Sequence, residues 1–349
     1  MKKELLIASA LVSTMGVASV AEAVTHTISG HHRVGVEGES TEGSSTDTNT
    51  VSNQSAFSVA LAETTDGGVD VATSFMLTNE SSGVSDASAL TLTFTDGSKL
   101  DVFNAGNSYA GHDISVPGSS GEAAVAVTTT NNSPSGLDFA GSSTALGVEW
   151  HSAADFMMDG LKVSASFSTD DGAAATATAN VTGHWGLGAT YVTDAGDTAI
   201  TLGTGLTSSQ WHKTGTALTN DENGYHIGIS AVTGDLTVAV GYSDGDSVEG
   251  DTTGGNREVT GNVTKAGVKY VTGDITLDIG MASGEGKDGS IGSIGTTNDA
   301  IDKTSASATY AVASGVSAIL GYTSVDSSND GADDGSGGSA WYVGALMSF

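Results

Sequence analysis

The chain has 349 residues, 41 acidic against 11 basic, for a formal charge of -30. So negative a protein repels nucleic acid and attracts cations. The absence of cysteine excludes disulfides and thiolate metal sites, and 49 glycines beside 2 prolines leave stability to packing and backbone hydrogen bonding.

The first segment, MKKELLIASALVSTMGVASVAEA, sets Lys2 and Lys3 before an apolar stretch from Leu5 to Val20 and ends on Ala21-Glu22-Ala23. That order reads as a secretory leader cut after Ala23. Residues 1–23 are therefore expected to be removed, leaving 24–349 as the mature domain. Losing Lys2, Lys3, Glu4 and Glu22 takes the counts to 39 acidic and 9 basic, so the charge belongs to the mature part. No later stretch reaches the roughly 18 to 20 continuous apolar residues of a membrane helix. Mean hydropathy is -0.01, which alternating lipid-facing and water-facing strand residues produce as readily as a soluble protein does.

From Val24 onward apolar residues recur at every second position. In DGLKVSASFST they are Leu161, Val163, Ala165 and Phe167; in GDLTVAVGYSDGD they are Leu236, Val238, Val240 and Tyr242. GDITLDIGMAS and SGVSAILGYTS repeat the pattern. Period two means strands with one apolar face and one small or polar face. In chain order the strands are expected at about 24–36, 51–63, 67–79, 88–95, 98–104, 144–153, 159–169, 181–193, 196–208, 222–233, 234–243, 260–272, 273–283, 303–313, 314–325 and 338–349.

Their connections alternate in length. Tight turns are expected at Asp66-Gly67, Asp96-Gly97, Asp159-Gly160, Ala195-Gly196, Gly234-Asp235, Gly273-Asp274 and Ser314-Gly315. Between them lie long polar stretches: EGESTEGSSTDTNT, DGDSVEGDTTGGNRE, GEGKDGSIGSIGTTNDAID and DSSNDGADDGSGG. Short turns on one side and long loops on the other predict an all-β fold, a transmembrane antiparallel β-barrel of about 16 strands with periplasmic turns and extracellular loops.

Aromatic placement points the same way. Phe94, Trp150, Tyr191, Tyr270, Tyr310 and Phe349 fall near the short-turn rim. Phe75, Phe167, Tyr225, Tyr242, Tyr322 and Trp341 fall near the long-loop rim. Two outward aromatic rows are interfacial girdles, with Tyr191, Tyr270, Trp341 and Phe349 as anchors against outer-membrane lipid.

Together, the leader, the opening strand VTHTISGHHRVGV and the closing WYVGALMSF resemble the general diffusion porins of Gram-negative bacteria, the alphaproteobacterial kind above all. The resemblance spans the mature chain and rests on architecture. It implies a homotrimer in the outer membrane, and a C-terminal Phe read by the barrel assembly machinery. It also implies a third long loop folded inward to narrow the pore. By loop order that loop is 105–143, with Asp113, Glu122 and Asp138 as its acids; the residues alone leave a plain surface loop as the alternative. Family pores set an arginine cluster opposite it. Here the inward positions offer Arg33, Lys99, Lys162, Lys265 and Lys269 against Asp70, Asp101, Glu149 and Asp278.

Several signals are set aside. His31-His32 point to opposite strand faces and cannot share an ion; His26, His151, His184, His212 and His226 are scattered and read as lumen or rim residues. No metal site and no cofactor is expected beyond diffuse attraction of Ca2+ or Mg2+ to acidic loops such as DSSNDGADDG. There is no nucleophile elbow, phosphate loop or dinucleotide fingerprint, so an enzyme is not expected. The expected function is a water-filled channel for passive diffusion of small hydrophilic solutes and ions, cation-preferring because its third loop holds acids and neither Lys nor Arg. The competing reading is a secreted acidic β-rich structural or adhesion protein of the cell surface.

Overall fold

The computed structural model describes residues 24–42, 47–78, 86–87, 89–103, 106–118, 147–168, 179–213, 219–250, 256–288, 297–329, 332–333 and 337–349. The expected leader 1–23, and Glu122 and Asp138 of the third loop, lie outside the described residues.

Among the described residues there are 16 strands of four residues or more: β1 Thr25–Thr41, β2 Thr48–Thr64, β3 Asp70–Thr78, β4 Leu90–Thr93, β5 Lys99–Val102, β6 Gly147–His151, β7 Leu161–Ser168, β8 Ala179–Ala195, β9 Thr198–Lys213, β10 Thr219–Thr233, β11 Leu236–Gly250, β12 Asn256–Thr272, β13 Ile275–Asp288, β14 Thr297–Ala313, β15 Val316–Asn329 and β16 Gly338–Ser348. Two-residue ladder fragments, Asp86–Ala87 and Ala332–Asp333, sit beside β3 and β15. Each strand pairs antiparallel with its sequence neighbours, and β1 pairs with β16, Arg33 opposite Leu346 and Val36 opposite Val343. Gly30 and Phe349 exchange both backbone hydrogen bonds at 3.1 Å, extending that seam by one pair. A closed ladder has no free edge, and a β-solenoid does not close in this way.

The barrel is apolar on its outside. Phe75, Trp150, Phe167, Trp185, Tyr225, Tyr270, Tyr310, Tyr322 and Trp341 are all exposed. The register groups them into rows, with Phe167 opposite Trp185 and Tyr322 opposite Trp341. The buried positions are instead small or polar, among them Ser164, Ser166, Ser168, Thr207, Ser305 and Ser307. A small apolar cluster of Ile319, Tyr342 and Leu346 lines the inner wall near the seam. The Arg33 guanidinium stacks 3.8 Å above the Tyr342 ring, so this inward arginine is buried against an aromatic face.

Three sequence expectations need correction. The polar stretches read as loops are partly strand: β1 runs through Glu37, Glu39 and Thr41, and β11 carries Asp244 and Asp246. Their Gly, Asp and Ser content opposes a strand locally, but each further ladder pair satisfies backbone groups, so the hairpins extend beyond the girdle. The connection at Asp159-Gly160 is not tight; it spans 152–160, with Asp155 and Met157 at positive φ. In the first turn it is Gly68, not Gly67, that takes positive φ, at 78°. The turn at 94–98 behaves as expected: Asp96 Oδ1 accepts from Ser98 Oγ at 2.7 Å and Ser98 N at 2.9 Å. Those bonds hold the Asp96 carboxyl below its usual range.

Candidate functional site

The connection from β5 to β6 is the longest in the chain, and its described segment 106–118 lies inside the barrel. It begins over β6 and β7, where the Ser108 backbone N donates to Ser166 Oγ at 3.0 Å and the Ser108 hydroxyl donates to Glu149 Oε1 at 2.9 Å. Asn107 Nδ2 donates to His184 Nε2 on β8 at 3.1 Å, while Asn107 Oδ1 accepts from Tyr109 N at 3.0 Å. A single 3-10 turn, Ala110–His112, follows. The segment ends over β14, where Ser307 Oγ donates to the Gly118 carbonyl at 3.3 Å.

Glycines on the inner wall make room for this strap. A Cβ on Gly188 would stand 2.1 Å from the Ser108 carbonyl oxygen; on Gly267 and Gly280 it would stand 2.1 and 2.2 Å from that of Pro117. Gly203 and Gly228 similarly receive Ile114. The register sets these glycines beside one another, Gly188 opposite Gly205, Gly228 opposite Gly203 and Gly241, and Gly267 opposite Gly280. They form a groove running across the strands, level with the strap. Here they are the seat of a second chain segment, because only a residue without a side chain lets two backbones approach this closely.

Three histidines fasten the strap. His226 Nε2 donates to the Tyr109 carbonyl at 2.6 Å, and the two rings meet edge to face at 4.7 Å. His184 Nε2 takes the Asn107 bond and lies 3.3 Å from Thr207 Oγ1. His112, on the strap itself, bridges two wall strands, its Nδ1 2.6 Å from Thr190 Oγ1 and its Nε2 2.8 Å from Ser164 Oγ. Burial depresses the basicity of His112, and the neighbouring His151, His226 and Lys162 charges add to the effect. His184 and His226, read from sequence as scattered, thus converge on one loop. Their signal was parity: both sit at inward positions of strands that carry inward glycines.

Asp113 projects from the strap toward β10 and β12. Its Oδ2 is 3.2 Å from Lys265 Nζ, and its Oδ1 is 3.8 Å from His226 Nδ1. Of the expected wall residues, Arg33 lies 3.7 Å from Glu37, and Lys269 lies 3.9 Å from Asp278. Asp70 accepts from Thr64 Oγ1 at 2.5 Å. Lys162 follows the inward parity of Ser164 and Ser166, and Lys99 that of Asp101. Asp101 and Glu149 come together with His151, which the sequence reading had not associated with them. The same parity adds Glu37 and Glu39, on a stretch that composition had marked as loop, and Lys303, at the start of an expected strand.

A family model described as Gram-negative porin matches residues 8–331. The barrel resembles OmpT of Vibrio cholerae, described in a trimer form, with a TM-score of 0.64 at 14% identity over 93% of this chain and 99% of that one. It also resembles an anion-selective porin from Comamonas acidovorans, with a TM-score of 0.60 at 13% identity over 93% and 100%. A porin of Rh. blastica aligns with a TM-score of 0.56 at 15% identity over 93% and 100%. Comparison with curated protein sequences finds no match.

Proposed function

From the premise that the chain belongs to the Gram-negative porin family, we propose that it is a homotrimeric, non-catalytic outer-membrane channel. It passes small hydrophilic solutes by diffusion and prefers cations. The observation that carries this reading is the strap 106–118, laid across the inner wall with Asp113 projecting from it. Such a strap narrows the lumen, and a carboxylate at a narrow aqueous passage acts in a reduced dielectric. The acidic excess of the chain, 41 against 11, biases the mouth toward cations wherever salt does not screen it, within about 8 to 10 Å at physiological ionic strength.

The trimer draws support from the Vibrio cholerae protein and from the barrel's outer face. His32 Nδ1 lies 2.8 Å from Ser55 Oγ among outward positions, beside exposed Asn53. Polar groups there are better satisfied against another subunit than against lipid chains. Export by the leader 1–23, and insertion by the assembly machinery that reads Phe349, complete the proposal.

The test is a reversal potential across a planar bilayer under a potassium chloride gradient. The expected sign is that of potassium preference, reduced in Asp113→Asn plus Glu122→Gln. A chloride-selective sign defeats the cation reading, and absence of conductance from folded protein defeats the channel.

A further inference from the structure

At the foot of the strap, three side chains from two neighbouring strands converge. Asp101 on β5 and Glu149 and His151 on β6 face the lumen, with one ligand-capable atom from each lying within 4.8 Å of the others. His151 Nε2 is 3.0 Å from Asp101 Oδ2 and 3.6 Å from Glu149 Oε2. Two donors each about 2.1 Å from a shared ion are about 3.0 Å apart at a right angle and about 3.4 Å apart at the tetrahedral angle. The observed separations bracket those values.

The surroundings orient all three. The other oxygen of each carboxylate is already occupied: Ser108 Oγ donates to Glu149 Oε1, and Thr91 Oγ1 donates to Asp101 Oδ1. This leaves Asp101 Oδ2 and the imidazole Nε2 directed at each other, with Glu149 Oε2 beside them and the Gly106 N–H donating to the same carboxylate; outer hydrogen bonds of this kind fix ligand orientation around a metal. Glu149 is only 4% exposed, and among the described residues its ion-pair partner is that imidazole. Even a protonated His151 would leave two carboxylates around one positive charge. Lys99, two residues from Asp101, forms no ion pair with either acid among the described residues.

We propose that Asp101, Glu149 and His151 form a three-ligand site for a borderline divalent cation of the Zn2+ class, completed by lumen water. One imidazole with two carboxylates suits such an ion, whereas Ca2+ takes six to eight oxygens and Mg2+ a near-octahedral oxygen shell. Because Ser108 belongs to the strap, an ion held on Glu149 tethers the strap's foot to the wall. The site depends on the barrel and the strap, not on solute passage or ion preference.

The test uses the full folded chain in detergent. Isothermal titration with Zn2+ is expected to show one saturable site per chain, lost in His151→Gln and in Asp101→Asn. Ser108→Ala, which removes only an outer hydrogen bond, is expected to weaken binding roughly 10- to 100-fold. Heat-modifiable gel mobility verifies that each variant is folded. Pulsed electron paramagnetic resonance of the Cu2+-loaded wild type supplies a readout without any variant, with one coordinated imidazole nitrogen expected. Absence of saturable binding, oxygen-only coordination, or binding unchanged in folded His151→Gln overturns the site; the last would assign the ions to acidic outer loops. None of these results depends on conductance.

Discussion

The barrel wall is built in two ways. Among the described residues the strands from β3 to β7 span 9, 4, 4, 5 and 8 residues, and those from β8 to β15 span 14 to 17. The short arc holds the strap with side chains, through Glu149, Ser164 and Ser166. The long wall receives much of it on glycines: Gly188, Gly203, Gly228, Gly267 and Gly280. The short arc grips through hydrogen bonds; the long wall does so too, at His184, Thr190, His226 and Ser307, but also makes room by omitting side chains. The difference teaches that inward serine and inward glycine, though both small and common in this chain, do opposite work.

The strongest way to break the contrast is to fill the groove. Gly267→Val places carbon where the Pro117 carbonyl lies, and overpacking of this kind costs roughly 1–3 kcal/mol or more. The strap is expected to lift, and liposome swelling to admit larger sugars. The control is Gly234→Ala, at a turn with nothing within 4 Å of the added carbon. Its positive φ costs about 1 kcal/mol of stability and should leave the sugar cutoff unchanged. Equal cutoffs for the two variants would mean that the groove does not seat the strap.

A smaller effect is expected from the grip. His226→Ala removes the donor to the buried Tyr109 carbonyl, at a cost of about 1–3 kcal/mol. Hydrogen exchange across 106–118 should accelerate while exchange in the β11–β12 ladder is unchanged.

Acid should loosen the same grip. The depressed basicity of His112 means that its stabilisation is fully present above the ordinary histidine value near 6.5. It is lost as pH falls through the lower folded value. Exchange at 106–118 should therefore rise on acidification, and His112→Gln should remove the component that titrates there.

The smallest expected effect is electrical. Asp113 lies against Lys265, so either single change uncovers the charge of the other partner. Asp113→Asn should shift the reversal potential toward chloride and Lys265→Met toward potassium. Shifts of the same sign would mean that the two charges do not share the passage.

Much of the fold was legible because period two is a local property. Leu161, Val163 and Phe167 declare a strand without knowledge of its partner, and the glycines at 97, 160, 196, 234, 273 and 315, which take positive φ, marked the returns. Where ladders end was less legible, since Glu37 or Asp244 joins a strand only because its neighbour supplies a partner. Register was not legible. Asp101 and Glu149 stand opposite each other, yet nothing local links them; His151 shares a face with Glu149 by period two but meets Asp101 only through that pairing. The groove was hidden for the same reason: GHWGLG, TLGTGL and KAGVKY each hold an inward glycine, but only strand alignment makes them contiguous.

The seam between β1 and β16 carries a consequence for the order of events in folding. Most ladder pairs join hairpins adjacent in sequence, whereas His31 meets Ser348, a separation of 317 residues taken as 348 less 31. Closing so long a span costs about 5 kcal/mol of chain entropy beyond the constant term, and no hydrogen bond of the seam forms until that span is bridged. Hairpins can zip early and cheaply; ring closure comes late, in a single step, and until then two unsatisfied edges face the medium. An incomplete barrel of this chain is therefore a transient hazard that needs shelter, and lateral pairing with a second open sheet competes with every attempt to close.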